Sequence, residues 1–119
     1  MPPTIRTKRF YDPPAKADGA RILVDRLWPR GVSRDKAAHD AWLTDLAPTS
    51  DLRTWFHADR SRFDEFARRY RAELEAADLS EAINDLRLRP VITLLYAARS
   101  EGPNHATVLA DFLGAALAS

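Results

Sequence analysis

A carboxylate and two guanidinium groups directly follow one apolar stretch in the first third of the chain. Asp25, Arg26 and Arg30 come after the apolar residues 22–24, and a proline and Gly31 end the segment. Carboxylates can move protons, and arginines can hold oxyanions through paired hydrogen bonds. Because buried strands in α/β proteins open at their carboxyl ends onto ligand crevices, this segment predicts an anion site.

A second group of polar side chains follows the apolar run 91–96, where a strand is expected to lead into the last helix. Asn104 begins that helix, and the unpaired N–H groups of its first turn would attract an anion. The same partial positive charge opposes protonation of His105, which leaves a neutral imidazole able to accept or donate one proton. We therefore predict Asp25 and His105 as a catalytic acid–base pair. The predicted ligand-binding residues are Arg26, Trp28, Arg30, Tyr96, Arg99 and Asn104.

Each of these residues also has an ordinary structural interpretation. Asp25 could pair with an arginine and order its loop, and His105 could be a satisfied structural histidine. For Trp28, packing beside the site is favoured over a role as a platform on which a ligand stacks. A tyrosine at a strand end, such as Tyr96, most often holds a loop through its hydroxyl. His57, near a predicted helix end, is interpreted as a cap to the last carbonyls.

Strands and helices alternate along the chain and must position these residues. We predict a short half-exposed strand around 5–7, a buried strand from about Ala20, a short strand over 40–46 and a central strand over 91–96. Apolar residues at helical spacing predict helices beginning near Thr49, near Asp59 or Ser61, near Leu79 and at Asn104. This order predicts one layered α/β domain over 1–119, with a small, mostly parallel sheet flanked by helices.

The composition excludes several kinds of chemistry. The 119 residues include no cysteine, which excludes disulfides, thiolate metal sites and a cysteine nucleophile. No metal is expected, because histidines and carboxylates do not recur at ligand spacing, and no cofactor is expected, because glycine-rich phosphate motifs are absent. An apolar leader and a run of membrane-spanning length are also missing, so a cytoplasmic location without membrane contact is expected.

The net charge of +1 conceals an uneven distribution of charge along the chain. Through Lys36 the chain carries nine basic residues against four acidic ones. This excess favours attraction of an anion, although a solvated basic edge is the simpler interpretation.

Several short motifs occur from one end of the chain to the other. They are VDRLWPRGV at 24–32, WL at 42–43 with LAPT at 46–49, LR at 52–53 with WFH at 55–57, and LLYAA at 94–98 with NHA at 104–106. Together they resemble the YeaO-like branch of domain-of-unknown-function family 488. The resemblance covers nearly the whole chain, but the family has no established activity to carry over.

One departure from the family pattern bears on mechanism. Many members of the wider family have a Cys-His-Arg triplet at the start of the last helix and a cysteine at the preceding strand end. Here those positions hold Asn104, His105 and Ala106, and Tyr96. Because only the histidine is retained, the resemblance implies no thiol chemistry for this chain.

Two functions remain open from the sequence. The first, slightly favoured, is a small enzyme acting on an anionic, phosphorylated or nucleotide-like metabolite, with arginines as clamps and Asp25 and His105 moving a proton. The alternative is a non-catalytic binding or regulatory module that recognises an anionic ligand, a nucleic-acid backbone or a protein partner. An anionic small molecule is the expected partner, and nucleic acid is the weaker choice because no recognition helix is evident. No pattern in the sequence indicates an oligomeric state.

Overall fold

A four-stranded parallel sheet organises the protein, for which a computed structural model describes residues 2–98 and 104–118. The strands are β1 Thr4–Arg9, β2 Ala20–Leu23, β3 Ala41–Trp42 and β4 Val91–Tyr96, in the spatial order β1-β4-β2-β3. The α-helices of the described part are α1 Ser50–Ala58, α2 Phe63–Ala76, α3 Ser80–Arg87 and α4 His105–Ala118. All neighbouring strand pairs are parallel. The predicted layered α/β fold with a small parallel sheet is confirmed.

β4 is one of the two central strands of the sheet, because it pairs with β1 on one side and with β2 on the other. Leu94 lies opposite Thr7 of β1 and Ile22 of β2. Residues 92–96 are all buried. A strand covered on both faces needs apolar side chains at every position, which explains the unbroken apolar run in the sequence.

The helices cover one face of the sheet and enclose the main core. Phe66 and Tyr70 of α2 are both fully buried, on the face that the helical spacing predicts. On the opposite face of the sheet, a smaller cluster of Phe10, Leu23 and Leu95 packs against the two indole rings of Trp28 and Trp42. Successive strand residues point to opposite faces, so neighbouring leucines of one strand serve different clusters.

The predicted strand over 40–46 is wrong for most of its length. β3 comprises only Ala41–Trp42, and Thr44–Leu46 form a 3-10 turn. The N–H of Leu43 donates to the carbonyl of Leu23 at 2.9 Å, and β2 ends at that residue. Because β2 offers no further residues for pairing, the chain turns and buries the last leucine of the turn in the helix-side core.

The helices begin close to the predicted residues. Thr49 caps α1 through its hydroxyl, which accepts from the N–H of Leu52 at 3.3 Å. A 3-10 turn over Arg60–Arg62, capped by Asp59, precedes the first residue of α2. Within the described ranges, no helix has the length and apolar character needed to cross a membrane.

A buried ion cluster ties the start of β2 to β1 and β4. The carboxylate of Asp18 accepts hydrogen bonds from the guanidinium of Arg21 on β2 and from Nζ of Lys8 on β1. The distance from Lys8 Nζ to Oδ2 is 3.1 Å. The backbone carbonyl of Asp18 accepts from Thr93 Oγ1 of β4 at 2.7 Å. Burial acts to raise the pKa of Asp18, but hydrogen bonds from the Ala15 N–H, Lys8 and Arg21 outweigh it and hold that pKa below its usual value. The three strands whose ends form the site are thereby tied together.

Candidate functional site

The carboxyl ends of β1, β2 and β4 open onto one cleft, whose volume of about 640 Å³ lies within the range of small-molecule sites. Parallel strands place their carboxyl ends at the same edge of the sheet, so the two polar groups of the sequence converge there. The residues that line the cleft are Arg9, Tyr11, Asp25, Arg26, Leu27, Trp28, Pro29, Arg30, Pro48, Arg53, Phe56, His57, Arg60, Phe66, Ala97, Ala98, Asn104 and His105.

Asp25 and His105 meet just beyond the carboxyl end of β2, at the start of α4. Oδ1 of Asp25 lies 2.8 Å from Nε2 of His105, and Oδ2 accepts from the N–H of Ala97 at 3.1 Å. Within the described part of the chain, neither Oδ1 nor Nε2 has a hydrogen bond of favourable alignment, and both atoms are buried. The two residues predicted as a pair are therefore adjacent, with the carboxylate placed to orient the ring.

Two of the lining arginines hold the loops of the cleft together. Nε of Arg26 donates to the carbonyl of Pro48 at 2.9 Å, and its Nη2 donates to that of Ala47 at 3.4 Å. Nε of Arg9 donates to the carbonyl of Ala98 at 2.8 Å. Arg26 thus fixes the segment before α1, and Arg9 fixes the segment after β4.

Arg30 differs from these two arginines because its guanidinium is uncommitted. The residue is exposed on the cleft rim. Its backbone carbonyl accepts from the Tyr11 hydroxyl at 3.0 Å, which ties the rim to the end of β1. Its side chain has no hydrogen bond or ion pair among the described residues. A free guanidinium in this position can bind an oxyanion.

Trp28 lies at the cleft wall with most of its ring contacts inside the protein. Nε1 donates to the carbonyl of Val32 at 2.7 Å. The ring packs edge-on against Phe10 and Trp42, at centroid distances of 5.5 and 5.4 Å. The guanidinium of Arg34 lies 5.0 Å from its centroid. Trp28 therefore packs beside the site, as the sequence favoured.

The remaining predicted ligand-binding residues have different positions. The side chain of Tyr96 does not line the cleft, because the last position of β4 points into the helix-side core. Asn104 does line the cleft, and its Oδ1 accepts from the N–H of Ala106 at 2.8 Å, as a helix cap. Arg99 lies outside the described residues.

A third wall of the cleft, built by α1 and the turn after it, was missed from the sequence. Arg53, His57 and Arg60 line the cleft there. Arg53 and His57 are four residues apart and therefore share one helix face, a spacing that could have indicated a common site. The predicted role of His57 as a helix cap does not account for this position. Partial burial of its ring, together with the positive charges of Arg53 and Arg60, lowers the pKa of His57.

Positive charge dominates the cleft. The described lining residues include five arginines and a single carboxylate, that of Asp25. In the described part of the protein, no group of three or more histidines and carboxylates could hold a metal ion. The arrangement can attract an anion and contact it from more than one side.

Comparison with known proteins identifies relatives of the whole chain. The family described as "Inactive DUF488-N3 subclade" matches residues 4–119. The uncharacterized protein YeaO of Escherichia coli is 42% identical over 110 residues, which span 92% of this chain and 96% of the relative. The uncharacterized proteins Mb3100c of Mycobacterium bovis and Rv3073c of Mycobacterium tuberculosis are each 40% identical over 109 residues, 92% of either chain. No solved structure matches the chain significantly.

Proposed function

The chain belongs to the DUF488 family, in the subclade described as inactive, and we propose that its cleft binds an anionic, phosphate-bearing small molecule without turnover. One observation carries the proposal, namely that the described residues lining the cleft include five arginines and one carboxylate. Such an excess of positive charge inside a concave site raises the local concentration of anions. Phosphate groups suit guanidinium donors, which bind two oxygens at once.

The distribution of hydrogen bonds among the arginines supports the same conclusion. Arg26 and Arg9 are occupied by backbone carbonyls. Arg30 and Arg53 have no hydrogen bond or ion pair with any residue the structure describes. Uncommitted guanidiniums facing a cleft are available to a ligand at little cost in lost protein contacts.

Two features favour a non-catalytic binding function over the enzymatic function that the sequence slightly favoured. Asn104 occupies the position where many members of the wider family have a cysteine, and its side chain caps α4. Oδ1 of Asp25 and Nε2 of His105 are buried against each other, so neither atom faces a ligand directly. The description of the subclade as inactive agrees with both features.

Calorimetric titration with inorganic phosphate tests the proposal. Arg30→Ala is expected to weaken binding about tenfold, because one charge-assisted contact is worth roughly 1.5 kcal/mol. Arg71→Ala serves as the matched control, since Arg71 is exposed on α2 and does not line the cleft. The proposal fails if wild-type protein does not bind phosphate at millimolar concentration, or if both variants bind it equally well.

Asp25→Asn provides a second measurement with an opposite sign. Asparagine can still accept from the N–H of Ala97, so the loop is retained while the one carboxylate among the described lining residues is removed. Phosphate binding should become tighter, by about two- to tenfold, because a like charge near the ligand is gone. Weaker binding by the variant would contradict a purely electrostatic role for Asp25.

The second candidate function is the acid–base enzyme, and the 2.8 Å contact between Asp25 and His105 favours it. In that case the carboxylate orients the imidazole, and the other ring nitrogen exchanges a proton with the ligand. The measurement is release of phosphate from a panel of phosphate monoesters and nucleotides. Turnover that disappears in Asp25→Asn while phosphate binding is retained would establish that the protein is an enzyme. If wild-type protein shows no turnover, the non-catalytic binding function stands.

A further inference from the structure

We propose that the cleft is built for a ligand with two linked phosphate groups, the second of which is held by Arg53 and Arg60. The inference rests on the proposed function and deepens it, because it assigns a second phosphate subsite and thereby names the ligand class. The first subsite is that of Arg30, which also lines the cleft. The two subsites come from different elements of the fold, the loop after β2 and the helical layer.

Several arginines of the helical layer that lie outside the cleft are paired with carboxylates. Arg68 and Arg69 of α2 both pair with Glu65, and Arg62 pairs with Asp59. Arg53 and Arg60 have no such carboxylate among the described residues.

Arg60 lies near the face of an aromatic ring and has no ion pair among the described residues. Its guanidinium carbon is 5.9 Å from the centroid of Phe56, which also lines the cleft. Such a contact leaves the N–H groups available to a ligand. The helix-side wall therefore presents two positive charges without a counter-charge of its own.

The state of His57 is consistent with this uncompensated charge. The ring lies between Arg53, one helical turn before it, and Arg60, and partial burial and both positive charges lower its pKa. His105 lowers the pKa further, and Asp25 acts in the opposite direction. A phosphate bound at Arg53 and Arg60 would reverse this potential, raise the pKa of His57 and draw a proton onto the ring.

The size of the cleft also fits a longer anion. Its volume of about 640 Å³ is in the middle of the range for small-molecule sites and far exceeds the space of one phosphate ion. Linking two anionic groups converts the second contact into an intramolecular one, so a diphosphate gains affinity over a single phosphate without any new type of contact.

Titration with orthophosphate, pyrophosphate and methylenebisphosphonate tests the inference. Wild-type protein should bind both two-phosphate ligands at least about tenfold more tightly than orthophosphate. Arg53→Ala, or Arg60→Ala as a second variant, should lower the affinity for the two-phosphate ligands about fivefold or more. The affinity for orthophosphate should fall less than about twofold. Arg30→Ala should weaken the binding of all three ligands, and Arg71→Ala should weaken the binding of none.

The outcomes separate this inference from the proposed function. Orthophosphate binding that depends on Arg30, with no gain for pyrophosphate or no selective effect of Arg53→Ala, overturns the second subsite and leaves the proposed function intact. Loss of all phosphate binding removes both. The pKa of His57, followed by NMR, should rise when pyrophosphate binds to wild-type protein and should not rise in Arg53→Ala.

A further arm of the experiment distinguishes the source of the phosphates. A nucleoside diphosphate presents the linked groups directly, whereas phosphates in an oligothymidylate are separated by sugars. The inference expects the nucleoside diphosphate to bind at least as tightly as pyrophosphate. An oligothymidylate that binds more tightly than either ligand would overturn it in favour of a nucleic-acid backbone.

Discussion

Replacing Asp18 by asparagine should remove a large part of the stability of the protein. The substitution deletes the charge but keeps an acceptor for the N–H of Ala15, so only the ion cluster is lost. Arg21, which is 6% exposed, then has no ion pair among the described residues, and the partly exposed Lys8 loses the same partner. Breaking a buried pair from one side costs about 3 to 5 kcal/mol, and rehydration of the lysine favours the lower value.

Urea unfolding at neutral pH measures this loss. For a chain of this size, about 3 kcal/mol corresponds to a fall in Tm of roughly 10 to 15 °C, which provides an independent readout. Asp45→Asn is the matched control, because Asp45 is exposed and has no ion pair among the described residues; it should change the free energy of unfolding by less than about 0.5 kcal/mol.

The same variant makes a prediction about pH. The pKa of Asp18 is lowered in the folded state, so the ion cluster stabilises the protein above the unfolded pKa and loses its effect as pH falls through the folded value. The difference in stability between wild-type protein and Asp18→Asn should therefore be constant near neutrality and shrink as pH falls below 3.8, the ordinary pKa of an aspartate. A loss under about 1 kcal/mol at neutral pH, or a difference that does not shrink in acid, would refute the reasoning.

Two further predictions concern the core and one tight turn. Tyr70→Phe should cost about 1 to 3 kcal/mol, because the buried carbonyl of Leu46 loses its donor. Burial raises the pKa of Tyr70 above 10.0, so wild-type protein should lose stability as pH rises beyond that value, and urea unfolding should show a smaller alkaline loss in the variant. Gly19→Ala should cost about 2 to 4 kcal/mol in thermal unfolding, because its Cβ would lie 2.4 Å from the carbonyl oxygen of Val91 at a φ of 61°. Gly114→Ala, in open space on α4, should instead stabilise by about 0.5 to 1 kcal/mol, and equal effects of the two substitutions would contradict the argument.

Asp25 and His105 were predicted to share one site, and this prediction depended on the strongly patterned strands that precede them. The buried run of β2 leads directly to Asp25, and the apolar run of β4 is the last strand before α4, which begins at His105. Both runs are central in the sheet, so their periodicity is unambiguous and their ends must reach the same edge. The extent of β3 was not predictable in the same way, because a strand at the sheet edge ends where its neighbour ends.

The sequence by itself determined the order of strands and helices, the core face of α2 and the convergence of the two polar segments at one edge of the sheet, because apolar periodicity and strand direction are local properties that carry over into the fold. The contact between Asp25 and His105 was established only by the tertiary structure. Only the tertiary structure decided which arginines are free. Arg26 follows Asp25 directly but is held by carbonyls at 2.9 and 3.4 Å, whereas Arg53, far along the chain, faces the cleft uncommitted. The physical reason is that a long flexible side chain takes whichever partner lies within hydrogen-bond distance, and that distance depends on how separate segments pack against one another.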